Sequence, residues 1–568
     1  MSNFQALNDA YLEFLALDPN SCVDLGLSVH LDKLPDPSLE HLLQTRQLAA
    51  ELRGKAEALA PTLDDFHQQL DARLIALAAG QVETWIGLSF NDRLQLQQLP
   101  QAGSEISSGI FLMVTNDPRP ATERLQDIAA RIQQIPAYLE RALARLDTPV
   151  ARWVNIELET VDGLPDFFSS IVAWAESEAF VGLDALRASV QTANEAFAAY
   201  SAQLQLLPTT DSFAIGDEQA RALVAGKGLE LSLEEIHQVA RDFVKRTRDE
   251  IETLRDKLVT KYALAPGTSA SELQQYLAKR YAVQVSDGDH SQVIKRYQTL
   301  ATQIEAFIAE RDLFPIPSGQ AMQIMPTPDF MAPMIPAGAM MPPAALREGT
   351  RVSLVYLTLS DELLDEHTEL GIPIMMVHEG IPGHHLQLAT ASMHDSVVRR
   401  TFSANEHAEG WTTMLEDYML DQGLMGELVD EARFATKLDI SRIGARVAID
   451  LYFMTGNTDY LDIGYPLDFD DEDPFANAAR LLVAATGFTP GRAQAELNWY
   501  SQERGYPLSY LVGNHLVWKL KRDYQRACAA NASEQETDRE FHRIYLESGN
   551  MPVAMLRRVY EHELQRAL

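Results

Sequence analysis

The stretch MMVHEGIPGHHLQL, residues 375–388, gathers three imidazoles and one carboxylate in a short span. Such a set can hold a metal ion and move a proton. His378 and Glu379 begin it as a zinc-peptidase helix would begin. In the H-E-x-x-H arrangement two histidines one turn apart bind zinc from one helix face. The glutamate between them takes a proton from the water that the zinc acidifies. Here Pro382 stands where the second histidine would be, followed by Gly383, His384 and His385. On an unbroken helix His384 would sit about 240° around from His378, on the wrong face. His385 would return to the correct face but lie roughly 10 Å further along the axis.

A proline in a helix interior removes a backbone bond and kinks or bulges the turn, and Gly383 beside it adds freedom. Such a bulge can swing His384 back towards the ion, so His384 is the expected second ligand. His385 is then expected to hydrogen-bond nearby or to contact substrate; spacing alone leaves the choice between the two open. The competing structural reading is a helix C-terminus, ended by Pro-Gly, with histidines over its last carbonyls. A third, acidic ligand tips the balance towards a metal. NEHAEGWTTMLEDYML, residues 405–420, sets Glu406, Glu409 and Glu416 on a downstream helix, where Glu409 and Glu416 share a face.

The surrounding elements are mainly helical. PSLEHLLQTRQLAAELRGKAEALA and SLEEIHQVARDFVKRTRDEIETLRDKLVTKY space apolar residues by three and four, and Ser232 with Glu234 and Glu235 reads as an N-terminal cap. QVSDGDHSQ reads as a loop. Residues 314–346 are crowded with Pro and Met and cannot form a long helix. RVSLVYLTLS, from 351, alternates and is β-branched, which predicts a strand. Helical patterning resumes at about 361 and holds to the C-terminus, apart from an acidic loop at DFDDEDPFANAA. The strand is placed to pair with a substrate backbone, and the Met-rich loop to line an adaptable apolar pocket or simply to connect.

Totals bound the function. The 568 residues exceed one ordinary core, which predicts two lobes or domains. A net charge of −34 argues against nucleic acid and against an anionic membrane surface. Two cysteines give neither a disulfide framework nor a Cys-based zinc site, so any metal must use His and carboxylates. The N-terminus lacks the pattern of a signal peptide, and no apolar run reaches the ~18–20 residues of a membrane span, which predicts a cytoplasmic protein.

H-E-x-x-P-G-H-H-L-Q followed by E-G-W resembles the bacterial "domain of unknown function 885" family, itself similar to the gluzincin metallopeptidases that include angiotensin-converting enzyme and thimet oligopeptidase. The resemblance runs from about residue 210 to the end, with a weaker helical match before it. It implies a mainly α, large, helical two-lobed peptidase-like fold with a deep cleft and a small β-sheet next to the zinc helix. Residues 1–210 would be an N-terminal helical lobe and 211–568 the catalytic lobe of one continuous unit. It also implies that His378, His384 and Glu409 hold Zn2+ and that Glu379 is the general base. ISRIGARVAID matches a family segment with Arg446 and Asp450 in place, and GYPLSYLVG matches a G-Q-A-L-x-Y-x-x-G pattern at Gly505, Leu508, Tyr510 and Gly513. Tyr510 is then the candidate donor to the oxyanion, with a core-packed tyrosine as the alternative. Arg446 would assist with the oxyanion or a substrate carboxylate, and His385 and Glu416 would contact substrate. Tyr506 and Pro507 replace an expected Gln-Ala, Trp499 an Arg and Met454 a His, departures that bear on substrate preference more than on the metal. His542, in FHRIYLESGNMPVAMLRRV, is read as structural.

The function implied is a zinc-dependent hydrolase, a carboxypeptidase or oligopeptidase acting on short peptides. The alternatives are a zinc amidohydrolase of a non-peptide metabolite, or a non-catalytic helical binding protein with a degenerate metal motif. The expected partner is a short peptide or an amide small molecule, with no nucleic acid and no membrane.

Overall fold

The computed structural model describes residues 3–286, 289–328, 338–359, 364, 367–529 and 532–568. The centre of the Met- and Pro-rich segment and the point near 361 where helical patterning resumes fall outside them, as does part of the QVSDGDHSQ loop.

The protein is mainly helical, as its periodicity predicts. Local sequence sets many of the helix ends. Ser232 accepts from the Glu235 N–H while the Glu235 carboxylate accepts from the Ser232 N–H, and this capping box starts the helix Leu233–Lys261. The helix Leu39–Leu59 falls inside the first predicted helical stretch. In the segment read as an acidic loop, only the first half is loop. Asp473 caps a helix, Pro474–Thr486, whose proline lies at the first position, where a missing N–H costs nothing.

Three large apolar cores hold the helices together. One joins the helices Asn3–Leu15, Leu39–Leu59 and Phe66–Gly87 to the C-terminal helices and to the segments around the histidine stretch. A second packs Trp153 and Phe213 against residues 440–512. A third lies among the helices between residues 102 and 204, and reaches Tyr356 and Met341 of the sheet. Each core draws residues from both sides of position 210, so burial is continuous across it.

The sheet has three strands, β1 (Gln320–Pro326), β2 (Gly338–Met341) and β3 (Arg351–Leu357), in the order β1-β3-β2. β3 is the predicted strand and ends at Leu357. β1 runs parallel to it, with Gln320 opposite Arg351, and β2 runs antiparallel, with Met341 opposite Leu354. β1 carries no sequence signal of its own, because its Met- and Gln-rich run becomes a strand only by pairing with β3.

Five helices, α1 to α5, carry the residues of interest: α1 (Gly371–Glu379), α2 (His384–Ala391), α3 (Asn405–Asp421), α4 (Arg442–Thr455) and α5 (Ser509–Cys528). Among the described residues no helix is long and apolar enough to cross a membrane.

Candidate functional site

The proline does more than bulge a helix. α1 ends at Glu379, residues 380–383 form a turn containing a cis Ile381–Pro382 bond, and α2 starts afresh at His384. The expected bulge within one helix is therefore corrected to a break between two. Two contacts fix the turn. The Trp411 indole N–H of α3 donates to the Pro382 carbonyl at 2.9 Å. Gly383 lies against the end of α1, where a Cβ would stand 1.9 Å from the His378 carbonyl oxygen and 2.3 Å from that of Val377. Only glycine fits there.

This turn lays the two imidazoles edge to face, ring centroids 4.9 Å apart. Glu409 of α3 completes the group: its Oε2 lies 3.8 Å from His378 Nε2 and 3.6 Å from His384 Nε2. One donor atom from each of the three falls within 4.8 Å of the others. Glu409 is buried, and its Oε2 has no hydrogen-bond partner. Burial raises its proton affinity, but the His384 and His378 imidazoles outweigh that and hold the carboxyl below the usual carboxylate range.

Glu416, two turns further along α3, accepts a 2.7 Å hydrogen bond from His378 Nδ1, which fixes the ring so that Nε2 points at Glu409. Burial alone would lower the His378 pKa, yet Glu416, with Glu379 and Glu409 adding, pushes it up to about 9. The expected substrate role of Glu416 is thus corrected to that of an orienting partner behind the imidazole. Glu406 is no ligand either. It is buried, accepts from the Val553 N–H at 3.3 Å, and burial pushes its carboxyl up to about 7.

His385 also changes role. It is completely buried, with Nδ1 2.7 Å from Ser353 Oγ of β3 and Nε2 2.6 Å from Gln320 Oε1 of β1. Both nitrogens are occupied, so His385 pins α2 to the sheet and has no free edge for substrate. Glu379 ends α1 half-exposed, and its carboxyl pairs with no donor among the described residues. A free carboxylate next to a histidine of the cluster is placed to accept a proton.

α4 and α5 supply the other side. Asp450 is buried and accepts from the Gly505 N–H at 2.9 Å and the Leu508 N–H at 3.1 Å, which shapes the turn that presents Tyr506. The Tyr506 hydroxyl donates to Glu409 Oε1 at 3.4 Å, and burial pushes its pKa up to about 12. Tyr510, one turn on, packs edge-on against Tyr506 at 6.0 Å, and burial with the nearby Glu409 charge raises its pKa further. The Arg446 guanidinium lies 4.6 Å over the Tyr510 ring. Its Nε donates to Tyr500 at 2.8 Å and one terminal nitrogen to Glu496 at 3.0 Å. Arg446 is therefore engaged in bracing Tyr510, and its charge is already paired.

α3 and α5 come into backbone contact at paired glycines. A Cβ on Gly410 would stand 2.4 Å from the Gly513 carbonyl carbon, and one on Gly513 2.1 Å from the Glu406 carbonyl oxygen. That approach brings Tyr506 and Tyr510 towards Glu409. Tyr506 is the residue sequence reasoning passed over. It lies in the turn before α5, outside any helix, so no helical spacing pointed to it, and the Asp450 contacts to Gly505 and Leu508 set its place beside Glu409.

No curated protein matches the chain. Among the solved structures that share its fold are two at 18% identity. The first is a "putative lipoprotein" from Colwellia psychrerythraea, with a TM-score of 0.78 and full coverage of both chains. The second is a "putative lipoprotein of unknown function" from Shewanella oneidensis, with a TM-score of 0.75, covering 98% of this chain and all of the other. The cytoplasmic expectation is contradicted by these neighbours, both of which carry the name "putative lipoprotein", and it is withdrawn. The expectation leaned on two absences, of a signal-peptide pattern and of a membrane-length apolar run, and an absence assigns no compartment. The family model described as "Bacterial protein of unknown function (DUF885)" matches residues 19–559, and the chain belongs to that family.

Proposed function

We propose that this protein is a zinc-dependent hydrolase, a metallopeptidase of gluzincin kind that cleaves short peptides. One observation carries the reading: three donor atoms, His378 Nε2, His384 Nε2 and Glu409 Oε2, converge while the buried Glu409 Oε2 lacks any donor. A buried carboxylate oxygen without a partner is costly, and a cation would relieve it. The two His-to-Glu distances, 3.8 and 3.6 Å, exceed hydrogen-bond length. They lie near the edge of a tetrahedron built on ~2.0–2.1 Å zinc bonds, roughly 3.4 Å. The donor set of two imidazoles and a carboxylate, with Glu416 behind one imidazole, suits zinc.

Bound there, zinc would supply Lewis acidity to a substrate carbonyl and to a water molecule. The chain's own groups do the rest. Glu379, free and beside His378, accepts the proton of the attacking water and passes it to the departing amine. Glu416 keeps His378 in the tautomer that presents Nε2. Tyr510 and Tyr506 carry the hydroxyls on the Glu409 side, and Tyr510 is assigned to the developing oxyanion. Arg446 acts through Tyr510 as a positioning residue. The finer fold reading belongs to the same proposal: helical lobes 1–210 and 211–568 of one continuous unit, joined by the shared cores, around a deep cleft with the sheet beside the zinc helix.

Turnover of dansylated di- and tripeptides tests the reading. Activity should vanish with a chelator, return with zinc, and be absent from Glu379→Gln. A protein that binds zinc stoichiometrically yet cleaves no peptide in a broad library would point instead to an amide metabolite as substrate.

A further inference from the structure

A second cavity, of about 500 Å3, lies wholly among residues 14–145, and none of its lining residues belongs to the histidine cluster or to the helices that carry it. Its size is that of a small-molecule site. Phe14, Leu42, Val82, Trp85, Ile86 and Leu96 give it apolar walls.

Two charged groups of opposite sign face this space without pairing. Arg145 ends the helix Ala121–Arg145 and is only 8% exposed. One terminal nitrogen donates to the Pro37 carbonyl at 3.0 Å, but Nε has no partner, and among the described residues no carboxylate forms an ion pair with it. Glu105, on the helix Ala102–Thr115, accepts from Gln101 Nε2 at 3.0 Å and has no cation partner either. Burial pushes the Glu105 carboxyl up to about 7, with Asp18 adding to the shift and Arg145 opposing it. Tyr138 also lines the cavity, with a hydroxyl that makes no hydrogen bond among the described residues. The remaining acids are engaged: Asp18 caps a helix through the Asn20 and Ser21 N–H groups, and Asp36 accepts from the Ser38 N–H.

A buried guanidinium without a carboxylate is costly, and an arginine and a glutamate serving only the core would pair with each other. Unpaired with each other and lining the same largely apolar space, they match a molecule with charge of both signs and an apolar body. A phosphate or a simple fatty acid would satisfy Arg145 but leave Glu105 facing an anion or hydrocarbon. We propose that this cavity binds an apolar zwitterion of the amino-acid or dipeptide class, its carboxylate on Arg145, its ammonium at Glu105 and its side chain along Trp85 and Leu42. The site does not depend on the hydrolase reading, and it needs no metal.

The test is calorimetric titration of the chelator-treated full chain with L-leucine, L-phenylalanine and L-leucyl-L-leucine, with quenching of tryptophan emission as a second readout. At least one should bind saturably, one per chain, and the matching N-acetyl acid and amide should bind about tenfold more weakly or worse. Arg145→Lys should lower affinity by a similar factor. Glu105→Gln, which keeps the bond from Gln101, should remove the preference over the N-acetyl form. Glu379→Gln, which the hydrolase reading predicts to be inactive, should bind the probes as wild type does, because Glu379 does not line this cavity. No binding by any of the three probes would overturn the proposal. So would equal binding of the N-acetyl acid, or binding left intact by both cavity variants.

Discussion

The His378 ring is held by Glu416, whose Oε1 lies 2.7 Å from Nδ1, and this bond points Nε2 at Glu409 Oε2, 3.8 Å away. α1 and α3 therefore share one polar connection across the interior, and a carboxylate outside the cluster sets the direction of a donor inside it. Partners of this kind typically contribute 10–100-fold to metal affinity. Glu416→Gln should weaken zinc binding by roughly that factor in competition with a calibrated chelator, while far-ultraviolet circular dichroism stays unchanged. Zinc affinity within twofold of wild type would show that the ring is held by packing alone.

The same bond makes metal binding pH-dependent. His378 holds its proton up to about pH 9, because Glu416, Glu379 and Glu409 together outweigh burial. A metal must displace that proton. Zinc affinity should therefore rise about tenfold per pH unit between pH 7 and 8.5, with about one proton released in calorimetry across buffers of different ionisation heat. In the metal-free protein the sign is opposite. The folded-state pKa stands above the ordinary 6.5, so stability from this group is complete below about pH 6.5 and is lost as pH rises through about 9. Glu416→Gln should flatten both curves.

Tyr506 and Tyr510 should separate kinetically. Tyr506 donates to Glu409, so Tyr506→Phe should weaken zinc affinity a few-fold with little change in kcat of the loaded protein. Tyr510→Phe should lower kcat by roughly 10²–10³-fold, with KM nearly constant, if its hydroxyl acts only in the transition state. Arg446→Lys should resemble a milder Tyr510→Phe, because the flat guanidinium over that ring is lost. Equal effects of the two phenylalanine variants on both parameters would contradict this division.

Gly383→Ala should destabilise by about 3 kcal/mol or more, because the added methyl would meet two backbone carbonyls that cannot move without unwinding α1. Gly410→Ala should behave similarly by forcing α3 from α5. Gly349→Ala, at a positive-φ turn with open space around it, is the control, and its cost should stay near 1 kcal/mol. Chemical unfolding gives all three values. A cost below about 0.5 kcal/mol at Gly383 would mean that the turn does not require glycine.

What was legible in the sequence followed local chemistry. The Ser232 capping box, the helix 39–59, the strand beginning at Arg351 and the helix carrying Glu409 all declare themselves through caps, spacing or β-branching. The convergence of His378, His384 and Glu409 followed from the Pro-Gly interruption and the resemblance. Roles that depend on distant partners were not legible. Glu416 and Glu409 lie on the same face of α3, and only the position of α1 decides which one meets Nδ1. His385 is occupied by Ser353 and Gln320, residues far away in the chain, and β1 exists only through β3. Tyr506 looked like a departure from a pattern because the turn fixed by Asp450 is a tertiary feature.

The most direct measurement is the zinc content of the purified full chain after dialysis against zinc, for wild type, His384→Ala and His385→Gln. Wild type and His385→Gln, which can keep its bonds to the sheet, should each hold one zinc per chain, and His384→Ala should hold none. A wild-type chain without zinc, or one equivalent retained by His384→Ala, would contradict the account.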